Sequence, residues 1–240
     1  AVWDWGDSST SVGAVTEAAG AGTVTGDHVY TAPGTYTVRL TVTDDKGASG
    51  YAEATVSVLP ICGPADVLDD FNRPNGGLGA NWRGSTTGYR IVGQQVDVGK
   101  GGPIYWQRQT FGADQVACLT VTRVDPRGPH HTLMLKVQRT NDWTAGVILV
   151  SYDAVSRRIL VESRNVAGGH WRLLASFPYT MVNGQQLGAR ALADGSVRVV
   201  VDNVLIGTSA ADGFYAGKGG QVGLWVLDTA EAFVDNFVGR

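Results

Sequence analysis

The chain is short of cysteine, glutamate, charge and long apolar runs, and each shortage excludes something. Two cysteines in 240 residues, Cys62 and Cys118, are too few for a disulfide scaffold and wrongly spaced for a zinc site. Whether they pair stays open. A bridge would close a long loop, worth roughly 4 kcal/mol on the chain-entropy model, and two buried free thiols are the alternative. Charged residues make up 17% of the chain, below the roughly 25% of an average soluble domain. No basic stretch suits nucleic acid, and no cationic amphipathic helix suits a membrane surface. No apolar run approaches the ~18 residues of a membrane span, so membrane insertion is not expected. Of 22 acidic residues only Glu17, Glu53, Glu162 and Glu231 are glutamates. Asp favours turns and calcium sites whereas Glu favours helices, and no ten-residue stretch follows a helical period of about 3.6. The first residues, Ala1-Val2-Trp3-Asp4, lack the charged and apolar regions of a leader and read as a processed end or an excised fragment.

What the chain does contain is alternation. In Thr35–Thr43, Tyr36, Val38, Leu40 and Val42 occupy every second position, giving one apolar and one polar face. Tyr51–Leu59 repeats the pattern after an Asp44-Asp45-Lys46-Gly47 turn. Leu59-Pro60-Ile61-Cys62-Gly63-Pro64 then breaks it, which places a first domain at 1–59, a linker at 60–65 and a second domain at 66–240. The second domain holds about a dozen short strand candidates. Asp194-Gly195 and Asp202-Asn203 are read as two-residue hairpin turns, because these residues tolerate positive φ. The expected class is all-β, a β-sandwich or jelly roll.

Trp3-Asp4-Trp5-Gly6-Asp7, then His28-Val29-Tyr30, Pro33-Gly34-Thr35-Tyr36 and Leu40-Thr41-Val42-Thr43-Asp44 closely resemble the PKD (polycystic kidney disease) repeat. The resemblance covers residues 1 to about 59 and implies a partial immunoglobulin-like β-sandwich used extracellularly as a spacer or adhesion module. Ser8 departs from the glycine usual there, and Trp3 would lie on the third strand of that fold. Either the first two strands belong to a longer parent protein, or a neighbouring chain supplies them by β-augmentation. Some members bind calcium, and Asp4, Asp7, Asp44 and Asp45 could contribute; the alternative is that Asp4 and Asp7 cap the local turn.

Val67-Leu68-Asp69-Asp70-Phe71-Asn72-Arg73-Pro74 and the closing Phe233-Val234-Asp235-Asn236-Phe237 resemble the ends of concanavalin-like (laminin-G-like) jelly rolls, over residues 66–240. Both ends read Asp-x-Phe, so if the end strands are neighbours their carboxylates approach one another and require a cation or hydrogen-bond donors. Calcium held by Asp69, Asp70 and Asp235 is one reading; backbone N–H donors are the other. The resemblance also implies glycan binding, for which aromatics beside polar groups are candidates. Trp106, Arg108, Asn141, Trp143, Tyr152 and Trp171 form the expected ligand-binding set, with about half of the aromatics expected to be packing. Trp82 and Trp225, in apolar surroundings, are assigned to the core. His130-His131 follows a Pro- and Gly-rich stretch and reads as an exposed turn.

Concanavalin-like sugar hydrolases commonly carry two glutamates and an aspartate on one strand, and glycoside hydrolysis needs two carboxyl groups. This domain has only Glu162 and Glu231, far apart, and no other catalytic motif occurs. The expectation is therefore a non-catalytic, secreted or cell-surface protein. Its foremost reading is a carbohydrate-binding module with a PKD spacer. The alternative is a structural or adhesive fibre subunit whose partner is another copy of itself, and the remote one is a glycoside hydrolase.

Overall fold

A computed structural model provides the structure and describes residues 1–166, 168–227 and 231–240. The chain is all-β and divides into two compact units, Ala1–Pro60 and Ile61–Arg240.

In the first unit the strands are β1 (Val2–Asp4), β2 (Thr10–Val12), β3 (Ala14–Ala18), β4 (Ala21–Thr25), β5 (Gly34–Thr43) and β6 (Ser49–Val58). A four-stranded sheet runs β2-β1-β5-β6, and β3 pairs with β4 as a separate hairpin. The spacing of Trp, His and Tyr becomes one physical object here. Trp5 stacks on Trp3 at 5.2 Å and on His28 at 5.1 Å; His28 meets Tyr30 edge-on at 4.7 Å, and Tyr30 stacks on Tyr36 at 4.1 Å. Polar ends of these rings tie the turns: Tyr30 Oη donates to the Trp5 carbonyl and Tyr36 Oη to that of Ala32. Gly6, at φ +77°, is required because a Cβ there would lie 2.5 Å from the Thr37 carbonyl oxygen.

Asp4, Asp7 and Asp44 work as caps. Asp4 accepts from the Gly6 N–H, and Asp44 from the N–H groups of Lys46 and Ala48. Asp7 accepts from the Ser9 N–H and hydroxyl and lies 2.7 Å from His28 Nε2. Hydrogen bonds from Ser9, then from His28, hold its carboxyl down at about 2.

The second unit contains β7 (Val67–Asp69), β8 (Trp82–Gly84), β9 (Tyr89–Val92), β10 (Gln95–Val98), β11 (Gly101–Trp106), β12 (Gln115–Arg123), β13 (His130–Val137) and β14 (Gly146–Asp153). It continues with β15 (Arg158–Asn165), β16 (Arg172–Pro178), β17 (Gln185–Ala191), β18 (Val197–Val201), β19 (Val204–Thr208), β20 (Gln221–Leu227) and β21 (Phe233–Gly239). One sheet runs β19-β18-β17-β12-β21-β10-β9, with β7 added against β21; the other runs β16-β15-β14-β13-β20-β11-β8. All pairings are antiparallel, and the first and last strands of the unit are neighbours. Together they make a jelly-roll β-sandwich whose core is filled by the inward residues of both sheets, among them Trp82, Leu119, Leu133, Ile148, Val161, Leu224 and Phe237.

Asp202 and Asn203, at φ +51° and +64°, form the expected two-residue turn between β18 and β19. Around Asp194-Gly195 the turn is wider. The last pair is Ala191 with Val197, and Leu192 N–H closes a larger loop on the Ser196 carbonyl. Asp194 there accepts from the Ser196 N–H and hydroxyl, which stabilises the longer form.

Residues 61–65, read from composition as linker, are fastened to the second unit. Cys62 and Cys118 form a disulfide, and Asn203 both accepts from the Cys62 N–H at 2.7 Å and donates to its carbonyl. Outward-facing Val116, Cys118, Val200 and Val238 pack with Cys62 on the far side of that sheet. Gly188 lies beneath the bridge, where a Cβ would sit 2.3 Å from Cys62 Sγ. The bridge spans 56 positions of sequence. Replacing both cysteines with serine should therefore lower unfolding free energy by about 3–4 kcal/mol, read by urea denaturation of the oxidised parent and the variant. A loss under about 1 kcal/mol would show that the segment is held by Asn203 and packing alone.

Candidate functional site

Alternation along the seven-stranded sheet decides which side chains are free. On β20, Val222, Leu224 and Val226 enter the core, so Trp225 and Leu227 project outward. On β13, Leu133 and Leu135 point in and His130, Thr132 and Met134 point out; on β14, Ile148 and Val150 point in and Leu149 out; on β15, Ile159 and Val161 point in and Glu162 out. Register then brings the outward set together. His130 lies opposite Leu227, Thr132 opposite Trp225, and Glu162 between Leu149 and Leu173.

The result is a recess of about 250 Å³ lined by His130, Thr132, Leu149, Glu162, Trp171, Trp225 and Leu227. Beside it a small outer cluster of Tyr105, Met134, Val137, Val147 and Leu149 supports Trp143 and Trp225 from below. Two indoles, Trp171 and Trp225, line the recess, and a third, Trp143, packs against both. Trp143 stacks on Trp171 at 5.7 Å and tilts against Trp225 at 4.9 Å, while Trp171 meets Trp225 edge-on at 6.4 Å.

Their positions are set by the loops that carry them. Asp142 accepts from the Thr144 N–H and hydroxyl and caps the turn that presents Trp143, whose own N–H donates to Tyr105 Oη at 3.3 Å. Those Thr144 bonds, then Arg139, hold the Asp142 carboxyl down at about 2. Arg164 lies 4.9 Å over the Trp143 ring and donates to the carbonyls of Thr144 and Gly169, bracing both loops. Trp171 remains 41% exposed, which is unusual for so large an apolar ring.

Glu162 is the polar centre of the recess. Among the described residues it has neither a hydrogen-bond donor nor an ion-pair partner, and burial pushes its carboxyl up, with His130 opposing weakly. The recess therefore combines exposed aromatic faces with an unengaged acceptor, suited to a ring-sized ligand with one apolar face and a polar rim.

The expected ligand-binding set separates accordingly. Trp143 and Trp171 come together at the recess. Trp106 and Tyr152 are 5% and 2% exposed and belong to the core, because their strands point those positions inward. Arg108 and Asn141 are exposed but do not line the recess; Asn141 serves a turn at φ +56°, its N–H bound by Gln221 Oε1. Trp225, assigned to the core, is instead on the outer face, since its strand neighbours Leu224 and Val226 take the inward positions. Trp82 is in the core as expected.

His130-His131 opens β13 rather than lying in a turn: His130 lines the recess and His131 is buried, where desolvation lowers its pKa against the opposing bond to the Tyr152 carbonyl. Glu162, His130 and Thr132 also line the recess and were not in the expected set. The available signal was a glutamate, a poor strand former, alternating with the core residues Val161 and Ile159.

At the end strands, Asp69 does approach Phe237 in register. Its oxygens are engaged by the Phe71 N–H, both Arg73 guanidinium nitrogens and Trp82 Nε1 at 2.6–3.1 Å. Asp70 and Asp235 each accept a single backbone N–H, from Asn72 and Asn236. Burial and then the charges of Asp70 and Asp69 push the Asp235 carboxyl up. No group of three or more metal-ligating side chains occurs among the described residues.

A model of the PKD domain family matches residues 1–58. No curated protein matches the chain. A xylan β-1,4-xylosidase structure from Bacillus halodurans is similar over 85% of this chain and 46% of its own, at 12% identity and a TM-score of 0.50. The carbohydrate binding module CBM66 from Bacillus subtilis is similar over 69% of this chain and 94% of its own, at 16% identity and 0.45. The galectin LEC-6 from Caenorhabditis elegans is similar over 58% and 90%, at 10% identity and 0.39. At such identities the likeness is one of fold.

Because burial favours the neutral form, the folded pKa of Glu162 lies above its unfolded value, and its ionisation costs stability as pH rises through that raised value. Glu162→Gln should be at least as stable as the parent at neutral pH, by no more than about 1 kcal/mol, with the difference vanishing in acid. Urea unfolding across pH checks this, and a clearly destabilised variant at neutral pH would show that the carboxylate is engaged by the fold.

Proposed function

We propose that the second unit is a non-catalytic carbohydrate-binding module of an extracellular or cell-surface protein, with the outer-face recess as its glycan site and the PKD-like unit as a spacer. The observation that carries this reading is the meeting of Trp171 and Trp225 with Glu162 in one recess. Sugar rings present a C–H face that packs on an indole, and their hydroxyls require acceptors and donors at the rim; Glu162, Thr132 and His130 supply them. The tilted indoles give the recess more than one stacking surface.

Of the described lining residues, Glu162 alone carries a carboxyl group. Hydrolysis needs a second one roughly 5–10 Å away, so the arrangement favours binding over catalysis. The disulfide agrees with an oxidising compartment. Among the described residues no helix is long and apolar enough to cross a membrane. We read the jelly roll as concanavalin-like, in keeping with its adjacent end strands.

Alanine at Trp171 should weaken glycan binding at least about tenfold while lowering the unfolding midpoint only modestly, since the residue is 41% exposed and outside the core. Affinity gels and calorimetry with a panel of soluble and insoluble glycans, with and without calcium, measure this. Failure of every glycan under both conditions would remove the reading.

A second reading, a structural subunit that associates with its own kind, is favoured by one observation. β6 is a ten-residue edge strand of the first unit, exposed along most of its length and bearing the apolar side chains Tyr51 and Val56. It predicts association that grows with concentration in light scattering, and a strictly monomeric, stably folded chain would count against it.

A further inference from the structure

The recess has an electrostatic bias that a neutral sugar leaves unused. Glu162 faces it with no lysine or arginine among the described lining residues. Of the cations on neighbouring strands, Arg164 is committed to Trp143 and two carbonyls and Arg158 to the Ser176 hydroxyl and carbonyl, while Arg172, next to Trp171, is exposed and is not among the described lining residues. A half-buried carboxylate with only the imidazole of His130 to offset its charge opposes folding, yet here it stands beside two indole faces, and an indole face is itself attractive to cations. Both elements favour the same ligand charge.

We infer that the sugar this recess selects carries an ammonium group: it is a non-acetylated amino sugar, its ammonium on the Glu162 carboxylate and its ring face on Trp171 or Trp225. This rests on the glycan-binding reading above and adds to it the charge of the sugar. The ammonium would form a charge-assisted hydrogen bond with Glu162 in a partly desolvated setting, where such bonds are strongest. N-acetylation would abolish both that bond and the cation–π attraction while adding an amide that needs partners of its own.

The test uses the whole chain and three probes of matched length and linkage: a β-1,4-glucosamine oligomer, its N-acetylated counterpart and the corresponding glucose oligomer. Calorimetry and intrinsic tryptophan fluorescence are read at about pH 6, where most carboxylates are ionised and the amine is largely protonated. The amine form should bind at least about tenfold more tightly than either neutral form. Glu162→Gln should erase most of that margin, the neutral oligomers losing far less because the amide oxygen still accepts from a hydroxyl, whereas Glu17→Gln, an exposed position in the first unit, should leave the margin intact and so controls for bulk charge. Equal binding of neutral and amine oligomers would overturn the charge selection while leaving the glycan reading standing. A margin that survives Glu162→Gln would overturn the site. No binding by any of the three, or by the wider glycan panel, would remove the glycan reading and this inference with it.

Discussion

Every strand of the seven-stranded sheet has two faces, and the inner one is fully committed. Leu133, Ile148, Val161 and Leu224 close the sandwich from that side, and a polar or removable group there would leave a cavity or an orphaned donor. A one-residue slip in register would exchange the two faces completely, so the core locks the register and with it the outer row. His130, Thr132, Leu149, Glu162 and Trp225 meet because the core holds their neighbours. The recess is thus a consequence of packing on the opposite side, completed by Trp171 and braced by Trp143 and Arg164 from the loops.

A second constraint acts where the unit opens and closes. Asp69 ends β7, which pairs with β21, while Trp82 begins β8 of the other sheet; the carboxylate accepts from the Trp82 indole and from Arg73, linking the two sheets. Phe71, Trp82 and Phe237 cluster around this bond, with Trp82 centred 5.0 Å from Phe237 and 6.1 Å from Phe71. The Asp-x-Phe repetition at both ends therefore reflects a shared packing problem. In Asp69 the charge is met by a guanidinium and an indole, groups that lie several residues downstream and across the sandwich.

Much of the architecture was legible beforehand because it depends on local chemistry. Period-two alternation marks strands wherever one face is buried. The Trp-Asp-Trp-Gly-Asp, His-x-Tyr and Pro-Gly-x-Tyr spacings bring one aromatic ladder together, and Asp202-Asn203 accepts the positive φ its turn demands. The Asp194 turn was less legible, since Ser196 offers its aspartate two bonds that favour a longer loop. Composition singled out Trp143 and Trp171 as aromatics amid polar neighbours, and the structure stacks the two together on the outer face, Trp171 in the recess lining. The same criterion also took in Trp106 and Tyr152, which the structure buries, and assigned the outward Trp225 to the core, because composition around a strand residue does not reveal which face it occupies.

By itself, then, the sequence determined that the chain is all-β and that its first 58 residues match the PKD pattern. These rest on periodicity, turn propensity and short-range motif spacing, all of which act within a few residues. Tertiary structure alone decided that Cys62 joins Cys118, that Asp69 is neutralised by Arg73 and Trp82, and that Glu162 faces Trp225 rather than the core. Each of those depends on which strands become neighbours and in what register, and that is settled only when both sheets close over a common interior.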